Sequence, residues 1–66
     1  MINIGNLPGE SCMITLCDIT GKPLITTITS ASYLSVSTQH IASGIYFLII
    51  RNNEGTIIFR QRLIKN

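Results

Sequence analysis

The sequence predicts a small all-β domain, an Ig-like antiparallel β-sandwich of about six or seven short strands. Short apolar runs alternate with clusters of glycine, proline, asparagine and serine, at the spacing of roughly 8 to 12 residues that is typical of sandwiches. No stretch of useful length has the 3.6-residue apolar period of an amphipathic helix. With 66 residues, the chain has room for a single domain.

The central element of the predicted fold is the run 45–50, which lies between Gly44 and Arg51 and contains only apolar residues. Alternation along a strand separates this run into one face with Ile45, Phe47 and Ile49 and another with Tyr46, Leu48 and Ile50. Because both faces are apolar, the pattern predicts a strand that is buried on both sides in the middle of the scaffold.

The remaining strands are predicted on either side of this run. A short N-terminal strand precedes the turn at Pro8-Gly9, and further strands are expected over 12–17, 24–29, 33–37 and 56–65. Segments 18–22 and 53–55 have turn composition, and the second of them closes a hairpin between the last two strands. Segment 38–44 is expected to be a polar connection with one turn of helix.

Alternation in the last strand predicts two unequal faces. Ile57, Phe59 and Leu63 fall on one side together with Gln61 and Lys65, and that side is expected to be the more buried one. The other side is expected to be more exposed and carries Ile58, Arg60, Arg62 and Ile64.

Composition argues against disorder and against nucleic-acid binding. Hydrophobic residues make up 45% of the chain, and the net charge is only +2. No apolar stretch approaches the length of a membrane-spanning helix. Four of the five cations lie in the last third of the chain, where we interpret them as charges that keep apolar strands soluble. These four are Arg51, Arg60, Arg62 and Lys65.

The size of the domain and its two cysteines allow two further expectations, one about partners and one about disulfides. A domain of this mass buries only about 60% of its unfolded surface, so we expect it to depend on a partner, a second copy or a preceding domain. Cys12 and Cys17 are five positions apart in one predicted strand and therefore point to opposite faces. They cannot pair without breaking the strand, so reduced thiols are expected, and an intermolecular disulfide is the alternative.

No catalytic or cofactor-binding constellation is visible. The acidic residues are Glu10, Asp18 and Glu54, and His40 has no evident acid partner, no nucleophile context and no companions for a metal site. The sequence therefore predicts a protein that is not an enzyme and that has no metal or other cofactor.

Three segments, taken in order, match the pattern of a known family. Residues 18–22 resemble its D-x-x-G-K/R turn, and residues 34–49 resemble its i-d-l-s-x-L-x-x-G-x-Y-x-l-x-i block. Gly55 and the closing Arg62-Leu63-Ile64-Lys65-Asn66 resemble its last strand. Together these segments resemble the type A C-terminal sorting domain of the type IX (Por) secretion system. The family's opening P-N-P segment and first strand have no counterpart here, so we expect residues 1–66 to be one sorting domain that lacks its first strand.

The resemblance implies a non-enzymatic secretion signal that directs an attached passenger protein through the outer-membrane type IX translocon to the cell surface. The implied partners are translocon and sortase components and a covalently preceding passenger. The implied location is the cell surface or the medium, reached through the periplasm and outer membrane. The family's recognition residues correspond to Asp18, Gly21, Gly44, Tyr46 and Lys65.

Two further interpretations remain open from the sequence. A structural or adhesive accessory module of a surface protein is the alternative function, although a sugar-binding version is disfavoured because the chain has no Trp and only two Tyr. In addition, the apolar faces of the run 45–50 predict a homodimer that forms through an exposed strand or face.

Overall fold

Six antiparallel strands form the fold in the computed structural model, which describes residues 2–66. They are β1 (Ile2–Ile4), β2 (Cys12–Asp18), β3 (Pro23–Thr29), β4 (Leu34–Val36), β5 (Gly44–Arg51) and β6 (Ile57–Lys65). The predicted all-β class is confirmed. Among the described residues there is no helix, and the expected helical turn near residue 40 is a plain turn in which the Ile41 amide donates to the Thr38 carbonyl at 3.3 Å.

The strands form two sheets of unequal size. β1 and β4 make a two-stranded sheet, and the other strands make a four-stranded sheet in the order β3-β2-β5-β6. The core lies between the two layers and includes Ile4 and Leu7 from the N-terminal segment. Alternate residues of β2 and β5 complete it: Cys12, Ile14, Leu16, Tyr46, Leu48 and Ile50. These residues share the inner face of the larger sheet because successive side chains alternate across a strand.

β5 is central, as predicted, since it pairs with β2 on one side and with β6 on the other. The prediction that it is buried on both faces is wrong. Its inner face is buried, whereas on the outer face Ile45 is 43% exposed and Phe47 and Ile49 are only partly covered. The physical reason is that the short β1-β4 sheet, the only other layer formed by residues 2–66, covers one side of the larger sheet.

β6 is the edge strand of the larger sheet, and its predicted faces are only partly correct. Leu63 and Lys65 are partly buried as expected, but Ile57 and Phe59 are about as exposed as Ile58 on the other predicted face. A register shift opposite Ile50 and Arg51 interrupts the alternation at this end of β6. The β1-β4 layer is also too short to cover all of β6.

The two cysteines lie on opposite sides of the larger sheet, as predicted. Cys12 belongs to the core cluster, and its thiol donates to the Thr29 carbonyl at 3.6 Å. Cys17 lies on the outer face, opposite Phe47 of β5. Both are free thiols and buried, so Cys12 acts as a small apolar side chain in the core.

Within residues 2–66 there is no helix that is long and apolar enough to cross a membrane. The expectation that the domain lacks a first strand is not tested by these six strands and stays a prediction.

Candidate recognition site

The five residues assigned by resemblance lie at one end of the four-stranded sheet. β2 ends at Asp18, β5 begins at Gly44 and β6 ends at Lys65. In the pairing register, Asp18 lies opposite Tyr46 and Gly44 lies opposite Lys65, while Gly21 belongs to the turn that follows Asp18. Antiparallel pairing therefore gathers residues that are up to 47 positions apart (65 − 18) in the sequence.

Lys65 connects the end of β6 to the loop that precedes β5. Its partly buried side chain donates from Nζ to the carbonyl oxygens of Thr38 and Ile41, each at 2.5 Å. These carbonyls belong to the turn at 38–41, where the Ile41 amide also donates to Thr38. A charged donor that satisfies two carbonyls makes stronger hydrogen bonds than a neutral one, so Lys65 holds this loop against the sheet.

Tyr46 holds the same loop from β5. The residue is 8% exposed, and its hydroxyl donates to the carbonyl oxygen of Ala42. Gly44 has a φ of +156°, outside the usual range for residues with a side chain. A Cβ at Gly44 would lie 3.8 Å from the Tyr46 ring, an ordinary contact, so the backbone conformation rather than the available space favours glycine there.

A small cleft of about 300 Å³ opens beside these contacts. Its walls include the aliphatic and aromatic parts of Ile41, Tyr46, Leu63 and Lys65, and the N-terminal strand contributes Ile2. The lining of the cleft is mixed, since the polar residues Thr38 and Asn66 also contribute to it. Nowhere along residues 2–66 do three or more His, Cys, Asp or Glu side chains come together in a way that could hold a metal ion.

Asp18 organises the β2-β3 turn through a single carboxylate oxygen. Oδ1 accepts hydrogen bonds from the Thr20 hydroxyl at 2.6 Å, the Thr20 amide at 2.9 Å and the Lys22 amide at 3.0 Å. The Thr20 hydroxyl contributes most to a lowered pKa of Asp18, because these donors favour the charged carboxylate. Gly21 supplies the φ of +88° that the turn requires.

The β5-β6 turn repeats this arrangement, which sequence reasoning missed. Asn52 Oδ1 accepts from the amides of Glu54 and Thr56 at 3.0 Å each, and the Gly55 amide donates to the Asn52 carbonyl at 3.0 Å. Gly55 has a φ of +83°. A visible signal was the shared spacing, an Asp or Asn three positions before a Gly, at 18 and 21 and again at 52 and 55.

The loop carbonyls of Thr38, Ile41 and Ala42 were also missed. A carbonyl acceptor has no signature in the side-chain sequence, since every residue carries one. Of the predicted site residues, Gly44, Tyr46 and Lys65 therefore meet around one loop. Asp18 and Gly21 occupy the neighbouring turn at the same end of the sheet.

A known protein family matches the chain along its full length. The family model described as the secretion system C-terminal sorting domain matches residues 1–66. No curated protein and no solved structure matches the chain. Because the match spans residues 1–66, the chain belongs to the C-terminal sorting domains of the type IX secretion system.

Proposed function

We propose that this domain directs an attached passenger protein through the outer-membrane type IX translocon to the cell surface, and that the translocon recognises the end of the sheet around Lys65. The domain itself is non-enzymatic in this proposal. The passenger precedes it in the chain, and a sortase component acts after export. The cell surface or the medium is the destination.

The observation that carries the proposal is the convergence of Gly44, Tyr46 and Lys65 on the loop at 38–42. Lys65 and Tyr46 each hydrogen-bond this loop, and Gly44 begins the strand that follows it. A loop held by a rigid scaffold is a typical recognition surface, because binding a partner then costs little conformational entropy for ordering the loop. The adjoining cleft offers space for a side chain of the translocon.

Export of a fluorescent passenger fused to the domain tests the proposal in a bacterium with a type IX system. Lys65→Met should reduce the surface-exposed fraction about tenfold, as expected when one important contact of an interface is removed. Arg51→Met is the matched control, because it also removes one positive charge but lies at the opposite end of β5 from Gly44. This control should be exported normally.

A second control separates recognition from stability. Loss of the Lys65 hydrogen bonds should cost about 1–2 kcal/mol of unfolding free energy. Ile50→Val removes one buried methyl group towards the other end of β5 and should cost about 1 kcal/mol. If Ile50→Val impairs export as severely as Lys65→Met, stability rather than recognition explains the loss. If Lys65→Met leaves export unchanged, the assignment of the site is wrong.

The alternative of an adhesive accessory module receives no specific support. An aromatic platform for sugar would need exposed rings, and Tyr46 is buried in the core. Tyr33 is 56% exposed, but a single exposed tyrosine does not make a platform.

A further inference from the structure

β6 presents the longest free backbone edge of the larger sheet. It has nine residues, and in the described part of the chain no strand pairs with it on the side away from β5. Every second backbone amide and carbonyl of such a strand points outward, which makes it a template for another strand. Several of its apolar side chains are exposed as well, including Phe59 at 46% and Ile64 at 63%.

Two arginines of β6 lie on the outer face of the sheet at this edge. Arg60 lies opposite Ile49 and Arg62 lies opposite Phe47 in the β5-β6 register. Neither arginine therefore has a carboxylate as its direct cross-strand neighbour on β5. A strand added beyond β6 would place its own residues opposite both arginines, so acidic side chains at those positions would form favourable cross-strand pairs.

The inner face of the same edge has a different chemistry. Phe59 and Leu63 line a groove of about 540 Å³ between β6 and the N-terminal segment, and Ile4 and Leu7 form its opposite wall. Inward side chains of an added strand would extend over this groove. Apolar residues at those positions would cover Phe59 and reduce the exposed apolar surface.

Two-fold antiparallel pairing of β6 with β6 of a second copy over seven or more residues conflicts with the arginines. The full nine-residue two-fold pairing is centred on Gln61, and it places Arg60 of each copy opposite Arg62 of the other. Centring the pair on Arg60 uses residues 57–63 and opposes Arg60 to itself, and centring it on Arg62 uses residues 59–65 with the same result for Arg62. Like charges directly opposite each other destabilise a strand pair.

We propose that β6 is a docking edge for an extended polypeptide segment that adds a fifth strand to the larger sheet. The partner segment has acidic residues facing Arg60 and Arg62 and apolar residues facing the groove. This inference goes beyond recognition at the Lys65 end and holds whether or not the translocon reads that end, because it depends only on the edge, its two arginines and the groove.

Binding of synthetic peptides to the isotope-labelled chain tests this edge. The probe is a nine-residue peptide that alternates Val with Glu, and the matched peptide has Lys in place of Glu. The Glu peptide should bind about tenfold more tightly than the Lys peptide, from the sum of two favourable and two unfavourable cross-strand pairs. Amide exchange should slow at alternate residues of β6, where the added hydrogen bonds form.

A charge-reversal variant identifies the responsible residues. Arg60→Glu with Arg62→Glu should invert the preference, so that the Lys peptide binds more tightly. Lys22→Glu with Arg51→Glu changes the net charge equally, but Lys22 lies in the β2-β3 turn and Arg51 lies on β5. This control pair should retain the preference for the Glu peptide, and circular dichroism should show that both variants keep the β fold.

Four results would overturn the proposal. Equal affinities of the Glu and Lys peptides would show that Arg60 and Arg62 do not select the partner by charge. An inverted preference in the control pair would show that net charge, and not these two arginines, determines the affinity. Slowed exchange along β3, the other edge of the sheet, would place the contact elsewhere. A stable dimer of the unliganded chain at micromolar concentration with slowed exchange along β6 would show that a second copy is the occupant.

Discussion

At the residue scale, Asp18 and Asn52 have the same structural role with different chemistry. Each uses one side-chain oxygen to accept backbone amides two and four positions later, which closes the turn between two paired strands. Only Asp18 is charged, and it also accepts the Thr20 hydroxyl. The acid stability of the domain should therefore depend on Asp18 and not on the turn at Asn52.

Asp18→Asn tests that dependence, because the amide keeps an oxygen acceptor and loses the charge. The pKa of Asp18 is lowered in the folded chain, chiefly by the Thr20 hydroxyl. Its contribution is complete above the unfolded pKa of about 3.9 and is lost as the pH falls through the lower folded value. As the pH falls below about 4, the thermal stability of the wild type should therefore decrease more than that of Asp18→Asn. Parallel pH profiles for the two proteins would contradict this.

Single residues also show that sequence patterns predict local hydrogen bonds but not those between distant segments. The Asx-x-x-Gly turn at 18–22 is visible in the sequence, because its hydrogen bonds span only four positions. The acceptors of Lys65 are 24 and 27 positions away, and no local pattern relates them to the lysine. The resemblance only predicts Lys65 as a site residue, whereas the structure shows that its ammonium group donates to the Thr38 and Ile41 carbonyls.

At the element scale, both hairpins require left-handed backbone at a glycine. Gly21 and Gly55 have φ values of +88° and +83°, and a Cβ at either position would meet no atom within 4 Å. Space is therefore not the reason for glycine at these positions. The cost of a side chain arises from the backbone conformation alone.

Replacement of these glycines by alanine should measure that cost. Gly21→Ala and Gly55→Ala should each lower the unfolding free energy by about 1 kcal/mol, because alanine is strained at positive φ. Gly5→Ala is the matched control, since a Cβ there also meets no atom and its φ is not positive. It should be neutral or stabilise by up to about 1 kcal/mol. Urea denaturation compares the three, and equal effects would refute the backbone explanation.

At the scale of the whole molecule, the main feature is that a two-stranded layer covers one face of a four-stranded sheet. The inner residues of β5 are buried in the core, whereas Phe47 and Ile49 on the outer side line an open surface with Met13, which is 37% exposed. Residues 2–66 form no third layer. The apolar outer face is consequently a property of the size of the domain and not of β5 alone.

Matched substitutions on adjacent residues of β5 test this one-sided burial. Ile50→Ala on the inner face should cost about 3 kcal/mol, within the range for deleting a buried isoleucine side chain. Ile49→Ala on the partly exposed outer face should cost about 1 kcal/mol, since less apolar surface leaves water there on folding. If Ile50→Ala unfolds the domain, the corresponding valine variants provide the same comparison. Equal losses at both positions would mean that the outer face is covered.

Alternation, turn chemistry and composition were enough to determine an all-β fold, its six strands, its two hairpin turns and the central place of β5. These features depend on local periodicity and on backbone conformations that residue type restricts. Only the tertiary structure decided which face of β5 is covered and which loop Lys65 holds. Both depend on contacts between distant segments, and a strand that is apolar on both sides gives no signal of which side the rest of a short chain can reach.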